Sequence, residues 1–184
     1  MNSFSLKPHP DFGHPPITIS VEIARTTEGD FVLEYVISGE VALIRIPEPV
    51  RYSSRHGNLW QHTCFEAFVA VAESESYLEF NFAPSTAWDA YRFVAYRQRG
   101  DELIFQAPHF DVEKQEQRLQ IDLALDASDT PELPLNREWR LGLTAVIEAK
   151  DGTKSYWALA HGDGPPDFHN PDCFIATLPA PDAS

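Results

Sequence analysis

The stretch HTCFEAFVAV (62–71), followed after five residues by YLEFNF (77–82) and then by WDAYRFVAY (88–96), decides the fold. Side chains of a strand alternate between its two faces. In the first segment Thr63, Phe65, Ala67, Val69 and Val71 form a nearly continuous apolar face, and His62, Cys64, Glu66, Phe68 and Ala70 form a mixed one. In the second, Leu78, Phe80 and Phe82 alternate with Tyr77, Glu79 and Asn81. In the third, Tyr91, Phe93 and Ala95 read as the core set, and Trp88, Arg92, Val94 and Tyr96 as the other face. Directly opposed residues share a face, so core must pair with core. That rule predicts Val69 opposite Phe80, Phe68 opposite Asn81, Phe80 opposite Tyr91 and Glu79 opposite Arg92. In this register Glu79 lies across from Ala70, and so about 13 Å along the strand from Glu66.

The two-residue period continues outward from this block. Ile17, Ile19, Val21 and Ile23 share one face of ITISVEIA (17–24). Strands are expected at 17–24, 31–38, 41–46, 60–72, 77–83, 88–97, 103–107, 118–125, 139–149, 155–160 and 173–178, rich in Val, Ile, Phe, Tyr and Trp. No segment carries a helical period of useful length, and 15 prolines punctuate the chain. The expected fold is all-β: an antiparallel β-sandwich of about ten strands. Residues 1–16, with four prolines, read as an extended arm, 17–178 as one domain, 47–59 and 126–138 as loops, and 179–184 as a tail.

The 184 residues include 14 basic and 28 acidic side chains, a net charge of −14. Hydrophobic residues make up 43%, enough to build a core and to exclude a disordered chain. Such acidity disfavours nucleic acid, whose phosphates need basic surface, and anionic lipid. The charge is unevenly spread. Residues 45–99 hold six arginines against six acids, together with 11 of the 22 aromatics, and are locally neutral. A neutral, aromatic-rich segment inside an acidic chain favours a neutral ligand over a polyanion. The register above gathers Glu66, Glu79, Asn81, Trp88, Arg92 and Tyr96 into one patch of that segment. A sugar ring needs such a surface: its C–H face packs on an aromatic ring, and its hydroxyls bond to charged and amide groups. The competing reading is an ordinary cross-strand Glu–Arg pair beneath a loop.

Two blocks, NLWQHTCFEAFVAV with YLEFNFAPSTAWDAYRF (58–71 and 77–93) and SYWALAHGDGPPDFHNPDCF (155–174), resemble the DOMON-like, family 9 carbohydrate-binding-module-like domains, the second block their small stand-alone bacterial members. With PHP near the N-terminus (8–10), the resemblance spans nearly the whole chain. It implies a β-sandwich that binds a ligand, usually a sugar or haem, without catalysis. It also implies that tryptophans clamp a sugar ring while charged and amide side chains take its hydroxyls. Trp60, Glu66, Asn81 and Trp88 best suit those roles. The expected ligand-binding set is therefore Trp60, Glu66, Glu79, Asn81, Trp88, Arg92 and Tyr96, with no catalytic residue and no cofactor.

Other chemistry is weaker. Met ligation of haem, typical of the superfamily, has only Met1 to draw on, which leaves His62, His161 and His169 for a bis-His site. His62, Cys64 and Glu66 share a strand face, but zinc usually takes paired Cys/His spacings and C-x-x-C is absent. Asp163, Asp167 and Asp172 offer hard oxygens for a structural calcium, in a stretch whose Gly, Pro, Asn and Asp content equally suits turns. A glycosidase pair of Glu66 and Glu79 is disfavoured by their expected separation, and by an Arg92 that would hold Glu79 ionised. Cys64 and Cys173 are expected as reduced thiols in a cytoplasmic protein, since no apolar run has the length of a leader or a membrane span. A disulfide between them stays open. The second functional reading is a protein-interaction or accessory module whose patch is covered. The oligomeric state is not set by the sequence.

Overall fold

Alternating apolar side chains and short turns build thirteen strands in a computed structural model that describes residues 1–48 and 53–181. They are β1 (Asn2–Pro8), β2 (Ile17–Arg25), β3 (Asp30–Gly39), β4 (Ser54–Arg55), β5 (Cys64–Val71), β6 (Tyr77–Phe82), β7 (Ala87–Ala95), β8 (Gln98–Arg99), β9 (His109–Lys114), β10 (Arg118–Asp126), β11 (Trp139–Glu148), β12 (Lys154–Ala158) and β13 (Ala176–Leu178). Among the described residues no α-helix forms, and so none is long and apolar enough to cross a membrane.

The architecture is all-β, but it is not two separate antiparallel sheets. One hydrogen-bonded path runs β4-β7-β6-β5-β11-β12-β1-β2-β3-β10-β9, with β8 added beside β7 and β13 beside β11. β4 pairs with β7 in parallel, so the sheet is mixed. The path curls until its halves meet across a shared core. Phe31 of β3 lies edge-on to Trp139 of β11, ring centres 5.8 Å apart, and Phe82 of β6 meets Phe110 of β9 at 6.1 Å. The Tyr35 hydroxyl donates across the core to the Glu66 carbonyl oxygen at 2.8 Å.

The expected N-terminal arm is in fact the strand that joins the two halves: β1 pairs with β2 on one side and with β12 on the other. Its own alternation, with Leu6 buried and Phe4 packed on the core, is the driving pattern. The segment 41–46 forms a short 3-10 turn at Val41–Leu43, 103–107 forms no strand, and β9 was not expected. Of the expected 47–59 loop and the 179–184 tail, residues 49–52 and 182–184 lie outside the described residues.

Two registers differ from expectation. β5 and β6 pair Glu66 with Asn81 and Phe68 with Glu79, a shift of two residues that keeps every face. β6 and β7 pair Glu79 with Tyr91 and Phe80 with Ala90, a shift of one. A one-residue shift sends each side chain of the moved strand to the other face.

A second apolar cluster of Phe68, Ala70, Tyr77, Phe93 and Phe174 covers the outer face of β5, β6 and β7. Phe174 reaches the sheet over Gly142, where a Cβ would lie 2.6 Å from its ring. Replacing Gly142 with alanine is expected to lift Phe174 and cost about 2 kcal/mol, overpacking typically costing 1–3 kcal/mol. Thermal unfolding should report it as a fall of roughly 4–8 °C.

Candidate functional site

The outer face of β5, β6, β7 and β11 forms the floor of a cavity of about 480 Å³, within the range typical of ligand pockets. Its walls come from the 3-10 turn Leu59–Gln61, the β7–β8 hairpin, the start of β12 and the loop around Pro166–His169. A larger hollow, about 800 Å³, between residues 11–16 and 149–156, gathers no buried charged side chain.

Glu66 and Glu79 project into this floor from adjacent strands and are 3% and 5% exposed. They occupy diagonal positions, roughly 7–8 Å apart along the backbone, not the 13 Å expected. Asn81 is fully buried behind them, donating its Nδ2 to Glu79 Oε1 at 2.6 Å while its Oδ1 faces the Cys64 thiol at 3.5 Å. Thr144 Oγ1 donates to Glu66 Oε2 at 3.4 Å, and Glu66 Oε1 has no partner. Burial, then the neighbouring Glu79 carboxylate, pushes the Glu66 carboxyl well above the usual carboxylate range. Burial also raises Glu79, to about 7, against the Asn81 hydrogen bond and the Arg99 and Arg97 charges, which favour the ionised form. Asp89 adds to the rise.

His169 closes one side of the floor. The Arg97 backbone N–H donates to Tyr77 Oη at 3.1 Å, and the same hydroxyl shares a hydrogen bond with His169 Nδ1 at 2.8 Å. His169 Nε2 lies 3.8 Å from Glu79 Oε2. Burial, with help from the Arg97 charge, lowers His169 to about 4, so the ring is neutral.

The rim is aromatic and cationic. Trp60 is 50% exposed beside the cavity, whereas the other three tryptophans are buried. Tyr91, Phe93, Tyr156 and Phe168 supply further ring surface. Arg97, held in a left-handed conformation at the β7–β8 turn, bonds Asp167 Oδ1 at 2.7 Å. The Arg99 guanidinium carbon lies over the Tyr91 ring, 3.8 Å from its centre, and Lys154 enters from the opposite wall.

Of the expected site residues, Trp60, Glu66 and Glu79 line this cavity, and Asn81 supports it from behind. Tyr96 lies outside the lining, its hydroxyl donating to Asp167 Oδ2 at 2.6 Å. Trp88 and Arg92 are on the other face of β7, because of the one-residue shift. Trp88 is 4% exposed in the main core, and Arg92 pairs with Glu132 on the loop 126–138. Arg92 therefore does not ionise Glu79. The expected patch containing both Glu79 and Arg92 does not exist. Tyr91, Phe93, Arg97, Arg99, Lys154, Tyr156, Phe168 and His169 were missed as site residues. The two arginines of YRQRG (96–100) were visible as part of the charge-balanced window, and a β-turn after Ala95 would have brought them back over β7.

The residues weighed for metal and haem are dispersed. Among the described residues no three His, Cys, Asp or Glu side chains converge as metal ligands. Asp167 is occupied by Tyr96 and Arg97, His62 bonds Glu148, and His161 faces the Lys7 carbonyl. Cys64 and Cys173 are buried and unpaired.

No family model and no curated protein matches the sequence. Solved structures do match in fold. A candidate carbohydrate-binding protein from Bacteroides uniformis aligns over 96% of this chain and 85% of its own, at 16% identity and a TM-score of 0.69. A family 9 carbohydrate-binding module from Caldicellulosiruptor kristjanssonii, solved with cellotriose, aligns over 97% and 83%, at 8% identity and 0.62. The same kind of module solved with glucose aligns over 94% and 81%, at 8% and 0.61. A curled all-β sheet matched over nearly its whole length gives this chain the fold of the family 9 carbohydrate-binding modules, in a sequence 8% identical to them.

Proposed function

We propose that the protein is a non-catalytic carbohydrate-binding domain that holds one sugar unit in the cavity over β5, β6 and β7. The observation that carries this reading is a half-exposed indole, Trp60, beside a cavity whose floor is a hydrogen-bonded Glu79–Asn81 pair. A sugar's C–H face would pack on the indole, and Glu79, Asn58, His169 and Arg99 offer acceptors and donors for its hydroxyls. Related folds whose structures hold cellotriose and glucose support the ligand class.

The two carboxyls do not argue for hydrolysis, despite their closeness. A glycosidase places its pair on either side of the scissile bond. Here both rise from one sheet face, beneath whatever the cavity holds, and Glu66 is nearly inaccessible.

Calorimetric titration with a panel of mono- and disaccharides tests the proposal. Trp60→Ala is expected to weaken binding at least tenfold, about 1.4 kcal/mol. No sugar should be cleaved on prolonged incubation. Binding unchanged by Trp60→Ala, or hydrolysis of the bound sugar, would overturn it.

A further inference from the structure

The cavity's charge points to a narrower ligand class than sugars in general, an inference that rests on the reading above. Three of the chain's 14 basic residues line this one cavity, in a protein of net charge −14. Arg97 is neutralised by Asp167. Among the described residues, Arg99 and Lys154 have neither an ion pair nor a side-chain hydrogen bond, and they stand on opposite walls, on β8 and β12. The strand path places β7, β6, β5 and β11 between them, so the two charges bracket the floor instead of crowding one point. The Arg99 guanidinium carbon lies over the Tyr91 ring, 3.8 Å from its centre, and among the described residues no acceptor takes its N–H groups. A planar fork held in this way suits a two-oxygen anion. The acids on this face are Glu66 and Glu79, both nearly covered, Asp89 lower down against Arg55, and Glu148, which lies opposite Lys154 on β11 and is held by His62 and Arg45. An acidic chain that leaves two unpaired cations around a ring-sized hollow has the complement of a hydroxylated ring with an anionic substituent.

We propose that the sugar bound here is acidic, a ring bearing one carboxylate or phosphate group, that Arg99 recognises the anion, and that Lys154 on the opposite wall adds to the positive field around it. This departs from the neutral ligand expected from the sequence, where Arg92 was the cation assigned to the patch. Arg92 faces the other side of the sheet, and of the three cations that do reach the cavity only Arg97 is paired among the described residues.

The test is titration of the full chain at pH 7 and low salt with glucose, glucuronate, galacturonate and glucose 6-phosphate. Binding of at least one acidic sugar at least tenfold tighter than glucose is expected. The uronate and phosphate arms identify which anion is read. In Arg99→Gln/Lys154→Gln the preference ratio should fall to near one, with circular dichroism verifying the fold. Glucose binding as tightly as every acidic sugar, with Trp60→Ala weakening all of them, would overturn the acidic ligand and leave the carbohydrate reading standing. A preference that survives in the double variant would also overturn it. Absence of binding by every sugar, neutral or acidic, would overturn both.

Discussion

Arg55→Ala is expected to lower the stability of the fold by about 3 kcal/mol, the loss typical of a broken buried ion pair. Arg55 Nε donates to Asp89 Oδ1 at 2.6 Å, and its other two nitrogens bond the carbonyls of Leu103 and Ala90. The Arg55 side chain is 30% exposed and that of Asp89 only 7%. One guanidinium thus ties the parallel edge strand β4 to β7 and to the segment after β8. Removing it strands a covered carboxylate and two carbonyls. Thermal unfolding should show a fall of roughly 6–12 °C for a chain of this size. Adding Asp89→Asn should recover part of it, since the uncompensated charge then disappears. A fall under about 1 °C for Arg55→Ala would contradict the role of the clamp.

The second large effect is a change in how stability depends on pH. Glu79 binds its proton more tightly in the folded protein, at about 7 against 4.5 in the open chain. Its contribution is therefore complete below pH 4.5 and is lost as pH rises towards and through 7. The difference is worth about 3 kcal/mol at 1.36 kcal/mol per pH unit. Glu66, raised by burial and by the Glu79 carboxylate, acts in the same direction. His169 has the opposite sign: its lowered value, about 4 against 6.5, gives stability that is full above pH 6.5 and is lost as pH falls towards 4. Between 4.5 and 6.5 the His169 and Glu79 slopes oppose each other, so the carboxyl loss shows most clearly above 6.5. Glu79→Gln, which can still accept from Asn81, is expected to gain about 3 kcal/mol on the native protein between pH 4.5 and pH 8. Urea midpoints across that range measure it, and parallel profiles for the two proteins would contradict the account.

The faces of β5 and β6 were legible because each carries an unbroken apolar set at one parity and its charged and amide residues only at the other: Phe65, Ala67 and Val69, then Leu78, Phe80 and Phe82, are the apolar sets. That is why Glu66, Glu79 and Asn81 fall on one side even though the expected register was two residues off. β7 was not legible, since both of its parities are apolar. Trp88 and Ala90 could face the core as well as Tyr91 and Phe93, and the curl of the sheet toward β9 decides for the first pair. A tryptophan read as a sugar clamp is thereby a core residue. The β1 alternation was hidden by the surrounding prolines, and its pairing with β12 is long-range, beyond what local pattern conveys. The wall at Pro166–His169 has no period at all; it is placed by contacts of His169 and Phe174 with the rings of Phe68, Tyr77 and Phe93. Those partners lie some 80–100 residues away in sequence, so no local reading could put His169 beside Glu79.

The central claim is that a sugar ring sits against Trp60 over the outer face of β5, β6 and β7. Indole N–H resonances report on it directly, because the chain has four tryptophans in distinct places. On saturation with the tightest-binding sugar, the Trp60 Nε1–H signal in a ¹H–¹⁵N spectrum, assigned by its loss in Trp60→Phe, is expected to shift. The signals of the buried Trp88, Trp139 and Trp157 should stay near their starting positions. A saturating sugar that leaves the Trp60 signal in place and moves that of Trp88 would show the ligand on the other side of the sheet and contradict the site.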